Sequence, residues 1–250
     1  MIYFVGAGPG AADLITVRGM KTLEKADIII YAGSLVNPQL LDYAGPGCRI
    51  YDSALMNLEE IIEVMKEGDE AGLNVVRLHT GDPSLYGAIK EQMCELDKLG
   101  ISYSLCPGVS AYQGAAASLN LEYTLPGKSQ TLILTRMEGR TKVPEKERLS
   151  DLAAVGATMV LYLSSSLMKE ASAQLLEGGY SEDTPVAVVY RATWDDERII
   201  RTNVARVADD MEREGITKHA VVIIGDVLEG DFDYSRLYDA HFTTEYRKGI

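Results

Sequence analysis

Short apolar runs alternate with helix-period segments along almost the whole of this 250-residue chain, and that alternation limits the fold more than any other feature. Residues 2–5 read as a strand. Residues 13–25 read as a helix with Val17, Met20 and Leu23 turned inward. Residues 27–31 form the next strand, whose Ile28-Ile29-Ile30 centre is apolar on both faces, as a buried parallel strand requires. Asn57 is placed to cap a helix, with Glu60 completing a capping box. Leu58, Ile61, Ile62 and Met65 then fall at i, i+3, i+4 and i+7, and Gly68 is the stop signal. Residues 73–78 and 102–106 read as strands on either side of a helix from about Tyr86 to Leu99, closed by Gly100. Strand and helix in strict alternation imply βαβ units with right-handed crossovers and helices on both faces of a mostly parallel sheet.

The pattern breaks over residues 119–127, where Asn, Glu, Pro and Gly cluster, and then resumes. Residues 130–135, 158–163, 185–190, 197–202 and 220–225 read as strands, with helices over 166–177 and 204–214. The segment between Tyr190 and Arg198 is too short for a crossover helix, so those two strands pair antiparallel and the second sheet is mixed. The reading is of two α/β domains, residues 1–120 and 121–250, with a cleft between them. Residues 231–250 are polar and aromatic and belong to no assigned element.

Composition narrows the function. With 46% hydrophobic and 24% charged residues, the chain has what a sizeable core needs. Twenty-four basic against 37 acidic residues leave a net charge of −13, which excludes a general nucleic-acid binder and confines any anion site to a local cationic patch. Cys48, Cys94 and Cys106 form no CxxC pair, so neither a disulfide framework nor a structural zinc site is expected, and a reducing cytoplasm is the expected home. No signal peptide and no membrane span are expected.

Five segments carry the candidate chemistry. Gly6-Ala7-Gly8-Pro9-Gly10 follows the first strand and reads either as a tight structural turn or as a ligand loop; a dinucleotide site would need an acid at the tip of the second strand, where Tyr31-Ala32-Gly33-Ser34 has none. Thr80-Gly81-Asp82-Pro83-Ser84-Leu85-Tyr86-Gly87 lies at the carboxyl end of a strand, where α/β sheets place ligands, and Asp82 is a candidate helix cap. Pro107-Gly108-Val109-Ser110-Ala111 follows at the same edge. Arg136, Arg140 and Lys142 put three cations in one loop suited to carboxylates, and Arg191 sits with the single Trp of the chain, Trp194, at a strand end; a solvated loop and a structural hairpin are the competing readings. His79, His219 and His241 have no ligand spacing, so no protein-bound metal is expected.

The ordered set Val5-Gly6-Ala7-Gly8-Pro9-Gly10, His79-Thr80-Gly81-Asp82-Pro83-Ser84-Leu85-Tyr86-Gly87, Pro107-Gly108-Val109-Ser110-Ala111 and Pro185-Val186-Ala187-Val188-Val189-Tyr190 resembles the tetrapyrrole methyltransferase family, over nearly the whole chain. Tyr31 to Pro38, Thr135-Arg136 with Gly139-Arg140-Thr141, and Tyr190 to Trp194 are similar to those members that methylate precorrin-4 at carbon 11, cobalt-bearing or metal-free. The resemblance implies a homodimer, S-adenosylmethionine as methyl donor, and a tetrapyrrole small molecule as substrate. It implies cofactor contacts from Pro9, Thr80, Gly81, Asp82, Leu85, Ser110 and Ala111, and from Leu163, Ala192 and Ala220. It also implies that Arg136, Arg140, Lys142 and Arg191 hold the carboxylates of the ring. Relatives acting on uroporphyrinogen carry an acid after the tyrosine of the second strand; Ala32-Gly33 stands there instead, so no general base is assigned. The alternatives are methylation of another ring carbon, a diphthine-type protein substrate, a nicotinamide-dependent oxidoreductase and a non-catalytic sensor.

Overall fold

The computed structural model describes residues 1–250. Strand β1 (Ile2–Gly6) lies between β4 and β5 in a five-stranded parallel sheet ordered β3-β2-β4-β1-β5, with β2 at Ile28–Tyr31, β3 at Arg49–Asp52, β4 (the central strand) at Val75–His79 and β5 at Tyr103–Cys106. The inner strands are buried on both faces, β1 and β2 as apolar runs and β4 with Arg77 and His79 among its apolar residues; the edge strands β3 and β5 leave Ile50 and Leu105 exposed. Helix α2 (Leu58–Glu70) starts at the expected capping box, with Glu60 N bound to Asn57 Oδ1 at 2.9 Å and Asn57 N to Glu60 Oε2 at 2.8 Å. It packs Ile61, Ile62 and Met65, with Met93 and Leu96 of α3 (Ile89–Leu99), on Ile2, Phe4, Ile28, Ile30 and Val75. Leu23 of α1 (Val17–Leu23), with Val36 and Leu40, covers Val5, Ile29, Val76 and Leu78 on the other face.

Three expectations are corrected here. The helix expected over 13–25 is a short 3-10 turn at Ala12–Leu14 followed by α1, because Thr16 turns its hydroxyl back to accept from Gly19 N at 3.0 Å and starts the helix there. Gly68 does not stop α2; it lets the helix approach β4, since a Cβ there would come within 2.4 Å of Val75 Cγ2. The helix expected from Tyr86 begins only at Ile89, because Tyr86 and Ala88 adopt φ of 57° and 49°.

The second sheet is ordered β6-β7-β10-β8-β9, formed by Leu132–Arg136, Thr158–Tyr162, Ala220–Ile224, Pro185–Tyr190 and Arg198–Asn203. The β6–β7 pair is parallel and the other pairs antiparallel, including the expected β8–β9 hairpin. Met159 and Leu161, Val186 and Val188, and Val222 and Ile224 alternate onto one face. There they meet α5 (Leu149–Ala153), α6 (Met168–Glu177) and α7 (Val207–Arg213). By contacts the chain forms two compact units: Met1–Ser118 with Arg191–Glu197, and Leu119–Tyr190 with Arg198–Ile250. Seven residues of the β8–β9 connection therefore belong to the first unit. Helix α4 (Ala111–Leu119) follows β5, and no helix is long and apolar enough to cross a membrane.

Candidate functional site

The loops that leave β1, β4 and β5 meet at the carboxyl edge of the first sheet. Ala7 N–H donates to His79 O at 2.7 Å, and Gly8 and Gly81 exchange backbone hydrogen bonds at 3.3 and 2.8 Å as a single antiparallel bridge. No side chain fits where the loops cross: a Cβ on Gly6 would lie 2.6 Å from Gly108 Cα, and one on Gly108 would lie 2.2 Å from Gly81 O. These two glycines serve packing. Gly81 differs. Its φ of +61° favours glycine, and the place its Cβ would take lies 3.6 Å from Ala111 N and Ser110 Cα. Gly81 thus packs its backbone against the first turn of α4 at ordinary contact distance. Ser110 is buried and its N–H donates to Gln113 Oε1 at 2.9 Å, so the start of α4 is fixed.

Asp82 is not the cap of the following helix, which starts only at Ile89. Its Oδ1 accepts from Ser84 N at 2.8 Å and from the Ser84 hydroxyl, and its Oδ2 accepts from Gly108 N at 2.8 Å. Burial works against the charge, but the hydrogen bonds from Ser84 and Gly108 outweigh it and hold the carboxyl below the ordinary Asp range. Asp82 thus ties the β4 loop to the β5 loop. Thr80 is exposed and Leu85 half-buried beside it.

Under these loops β4 carries two buried polar side chains, Arg77 and His79, each 6% exposed. Arg77 Nε donates to Gln92 Oε1 and one terminal nitrogen to Ile30 O, both at 3.2 Å; burial pulls its pKa down to about 10. His79 stacks on Phe4, its Nε2 has no partner, and burial together with the Arg77 charge pushes its pKa down to about 3. It is a neutral strand-end residue whose carbonyl, not its ring, serves the loop.

Ala192 is buried in the first unit, and its carbonyl oxygen stands 2.7 Å from the place a Cβ on Gly10 would take. Arg191 is half-committed: it is paired with Asp196 at 2.9 Å and lies 4.2 Å over the Trp194 ring. The remaining sequence candidates lie in the second unit. Arg136 uses its guanidinium on its own loop, donating to Met137 O and Thr141 O at 3.1 Å and to Lys142 O at 2.9 Å. That loop displays Arg140 and Lys142, both exposed. Leu163 is 68% exposed at a φ of 53°, while Ala220 is buried in β10 opposite Tyr190.

Sequence reasoning missed Asp52. The tip of β2 has no acid of its own, yet β3 sets one beside it: Asp52 Oδ1 accepts from Gly33 N at 3.0 Å and from Ala54 N at 2.9 Å. Any side chain at Gly33 would collide with that carboxylate. The missing signal was β3 itself, whose Arg-Ile-Tyr-Asp run lacks strand hydrophobicity because it forms the sheet edge.

Known proteins resemble this chain in sequence and in fold. The sequence profile of the tetrapyrrole (corrin/porphyrin) methylases matches residues 1–208. A cobalt-precorrin-4 C(11)-methyltransferase of Methanocaldococcus jannaschii is 55% identical over 99% of this chain and 96% of its own length. A precorrin-4 C(11)-methyltransferase of Mycobacterium tuberculosis is 46% identical over 95% of each chain. Among solved structures, a cobalt precorrin-4 methyltransferase superposes with a TM-score of 0.89 at 48% identity, covering 92% of this chain and 96% of that one. A Thermus thermophilus uroporphyrin-III C-methyl transferase complexed with S-adenosyl homocysteine reaches 0.75 at 26% identity, covering 91% and 93%. None of these matches favours the nicotinamide reading, and the chain belongs to the tetrapyrrole (corrin/porphyrin) methylase family.

Proposed function

We propose that this chain is an S-adenosylmethionine-dependent enzyme that methylates carbon 11 of cobalt-precorrin-4, a step in making the corrin ring of cobalamin. The observation that carries the proposal is 55% identity, over nearly the full length of both chains, to a protein with that printed activity. The loop edge of the first unit supports it, since three strand-end loops meet at the carboxyl edge of a parallel sheet beside the start of α4, where such sheets place ligands. By the family pattern, the residues assigned to the methyl donor are Pro9, Thr80, Gly81, Asp82, Leu85, Ser110, Ala111, Leu163, Ala192 and Ala220.

The bound donor supplies a methyl group already activated on a sulfonium, so the chain needs to orient the partners rather than provide a strong base. Orientation alone contributes ~7–11 kcal/mol in favourable cases. Asp82 does its share by locking the β4 loop to the β5 loop, not by offering a free carboxylate. For the ring carboxylates, Arg140 and Lys142 are the available cations, with Arg136 shaping the loop that presents them and Arg191 helping from its own loop. The three unpaired cysteines fit a reducing cytoplasm, and the enzyme acts there as a homodimer.

The test is a transfer assay with labelled S-adenosylmethionine and cobalt-precorrin-4, metal-free precorrin-4 and an earlier precursor, reading product mass and the methylated carbon. One methyl added at carbon 11, fastest on the cobalt form, is the expected result. Binding of the donor without transfer to any of the three would overturn the substrate assignment.

A further inference from the structure

The Gly6–Gly10 loop is glycine-rich and has little intrinsic shape, yet three successive residues beyond its bridge to Gly81 are each held by a side chain from elsewhere. Pro9 O accepts from Trp194 Nε1 at 3.2 Å, Gly10 O accepts from Asn37 Nδ2 at 3.0 Å, and Ala11 N donates to Thr193 Oγ1 at 3.0 Å. Two of the three partners come from Arg191–Glu197, the segment that leaves the second sheet after β8 to join the first unit. Its packing is equally close: a Cβ on Gly10 would meet Trp194 Cδ1 at 2.3 Å, and one on Gly114 of α4 would meet Pro9 Cβ at 2.8 Å and Thr193 Cγ2 at 3.3 Å.

The segment is itself tied and strained. Glu197 Oε2 accepts from Thr193 N at 2.5 Å and from Ser118 Oγ of α4 at 2.6 Å. Arg191 and Thr193 take φ of 49° and 69°, and a β-branched residue at positive φ is an outlier that only surrounding contacts sustain. Glycine would sit there without strain, but it offers no side-chain acceptor to Ala11. A cavity of about 630 Å³ lined by Ala11, Asn37, Tyr43, Arg191, Thr193 and Trp194 lies beside the segment, so these contacts are not part of a filled core.

We propose that Arg191–Glu197 is a strap that sets the shape of the Pro9 loop, with Thr193 as the positioning residue and Trp194 and Glu197 as its fastenings. The proposal rests on the reading that this loop meets the methyl donor, and it predicts that donor affinity depends on the Thr193 oxygen although Thr193 itself need not touch the donor.

The experiment compares the parent with Thr193→Val, which keeps the shape and removes the acceptor, Thr193→Ser, which keeps the acceptor, and Trp194→Phe, which removes the indole N–H. S-adenosylmethionine affinity is read by calorimetry on the full-length protein, thermal midpoint by scanning, and donor KM against kcat by assay. Thr193→Val and Trp194→Phe should each weaken the donor about five-fold, the net worth of one hydrogen bond, while Thr193→Ser restores affinity to about two-fold of the parent. KM should rise with kcat retained, and the thermal midpoint should fall by no more than ~2–4 °C, the loss of one hydrogen bond. Parent-like affinity in both Thr193→Val and Trp194→Phe would overturn the strap. So would a loss of affinity that merely follows a falling midpoint. Two independent variants guard against a folding failure in one. A parent that binds no S-adenosylmethionine would instead overturn the functional reading on which the strap depends.

Discussion

Gly108→Ala isolates the close approach of the three loops, because the φ of Gly108 lies outside the range that alanine avoids and the penalty is purely steric. The new Cβ would stand 2.2 Å from Gly81 O, against 3.4 Å or more for ordinary contact, and 2.8 Å from Gly6 Cα. The backbone must open by about 1.2 Å on the Gly81 side and about 0.6 Å on the Gly6 side, and no flexible side chain is there to yield. Overpacking of this kind costs ~3 kcal/mol, at the upper part of the usual range. At ~2–4 °C per kcal/mol for a chain of this size, the thermal midpoint should fall by ~6–12 °C. Displacing the β4 and β5 loops by that distance should also lower kcat/KM about 10- to 100-fold. The control is Gly45→Ala, whose Cβ would meet only Glu24 O at 3.5 Å, and which should change the midpoint by ~1 °C or less. Scanning calorimetry reads the first effect, and a methyl-transfer assay with labelled S-adenosylmethionine reads the second. If Gly108→Ala melted with the control and turned over normally, the loop edge would not be the close-packed platform described above.

Arg140→Ala and Lys142→Ala should raise the tetrapyrrole KM with the thermal midpoint unchanged, whereas Arg136→Ala should unfasten the 137–142 loop and raise KM more than either, by ~10-fold or more; equal effects from all three would contradict the division of roles. Asp82→Ala leaves Gly108 N–H unpaired and should cost ~2 kcal/mol together with donor affinity, measured by urea unfolding and calorimetry; unchanged affinity would make Asp82 a purely structural tie. His79 has a folded pKa of about 3, below its unfolded value of ~6.5, so the unfolded chain takes the proton first. Its contribution to stability is complete above pH ~6.5 and drains at up to ~1.4 kcal/mol per pH unit down to about pH 3. Unfolding curves between pH 7 and 4 should therefore be steeper in the parent than in His79→Gln, and parallel curves would refute a buried neutral histidine.

Periodicity and chain order were enough to locate the inner strands, the α2 capping box, the antiparallel β8–β9 pair and the order of the loop motifs. Those signals are local: a buried parallel strand must be apolar on both faces, and a capped helix writes its cap and stripe within two turns. The edge strand β3 escaped because a strand open to solvent on one side carries no continuous apolar run, and Asp52 at its end escaped with it. The start of α3 was misplaced because positive φ at Tyr86 and Ala88 is imposed by the packed loop, not by their side chains. Motif order pointed to Pro9, Asp82 and Ser110 as one group, but only the folded sheet could set Asp82 as a tie between loops, turn Arg136 onto its own backbone, and bring Thr193 and Trp194 back across some 180 residues of chain to Ala11 and Pro9. A hydrogen bond between such distant positions leaves no period or spacing in the sequence, since its geometry exists only after the strands that carry both ends have paired.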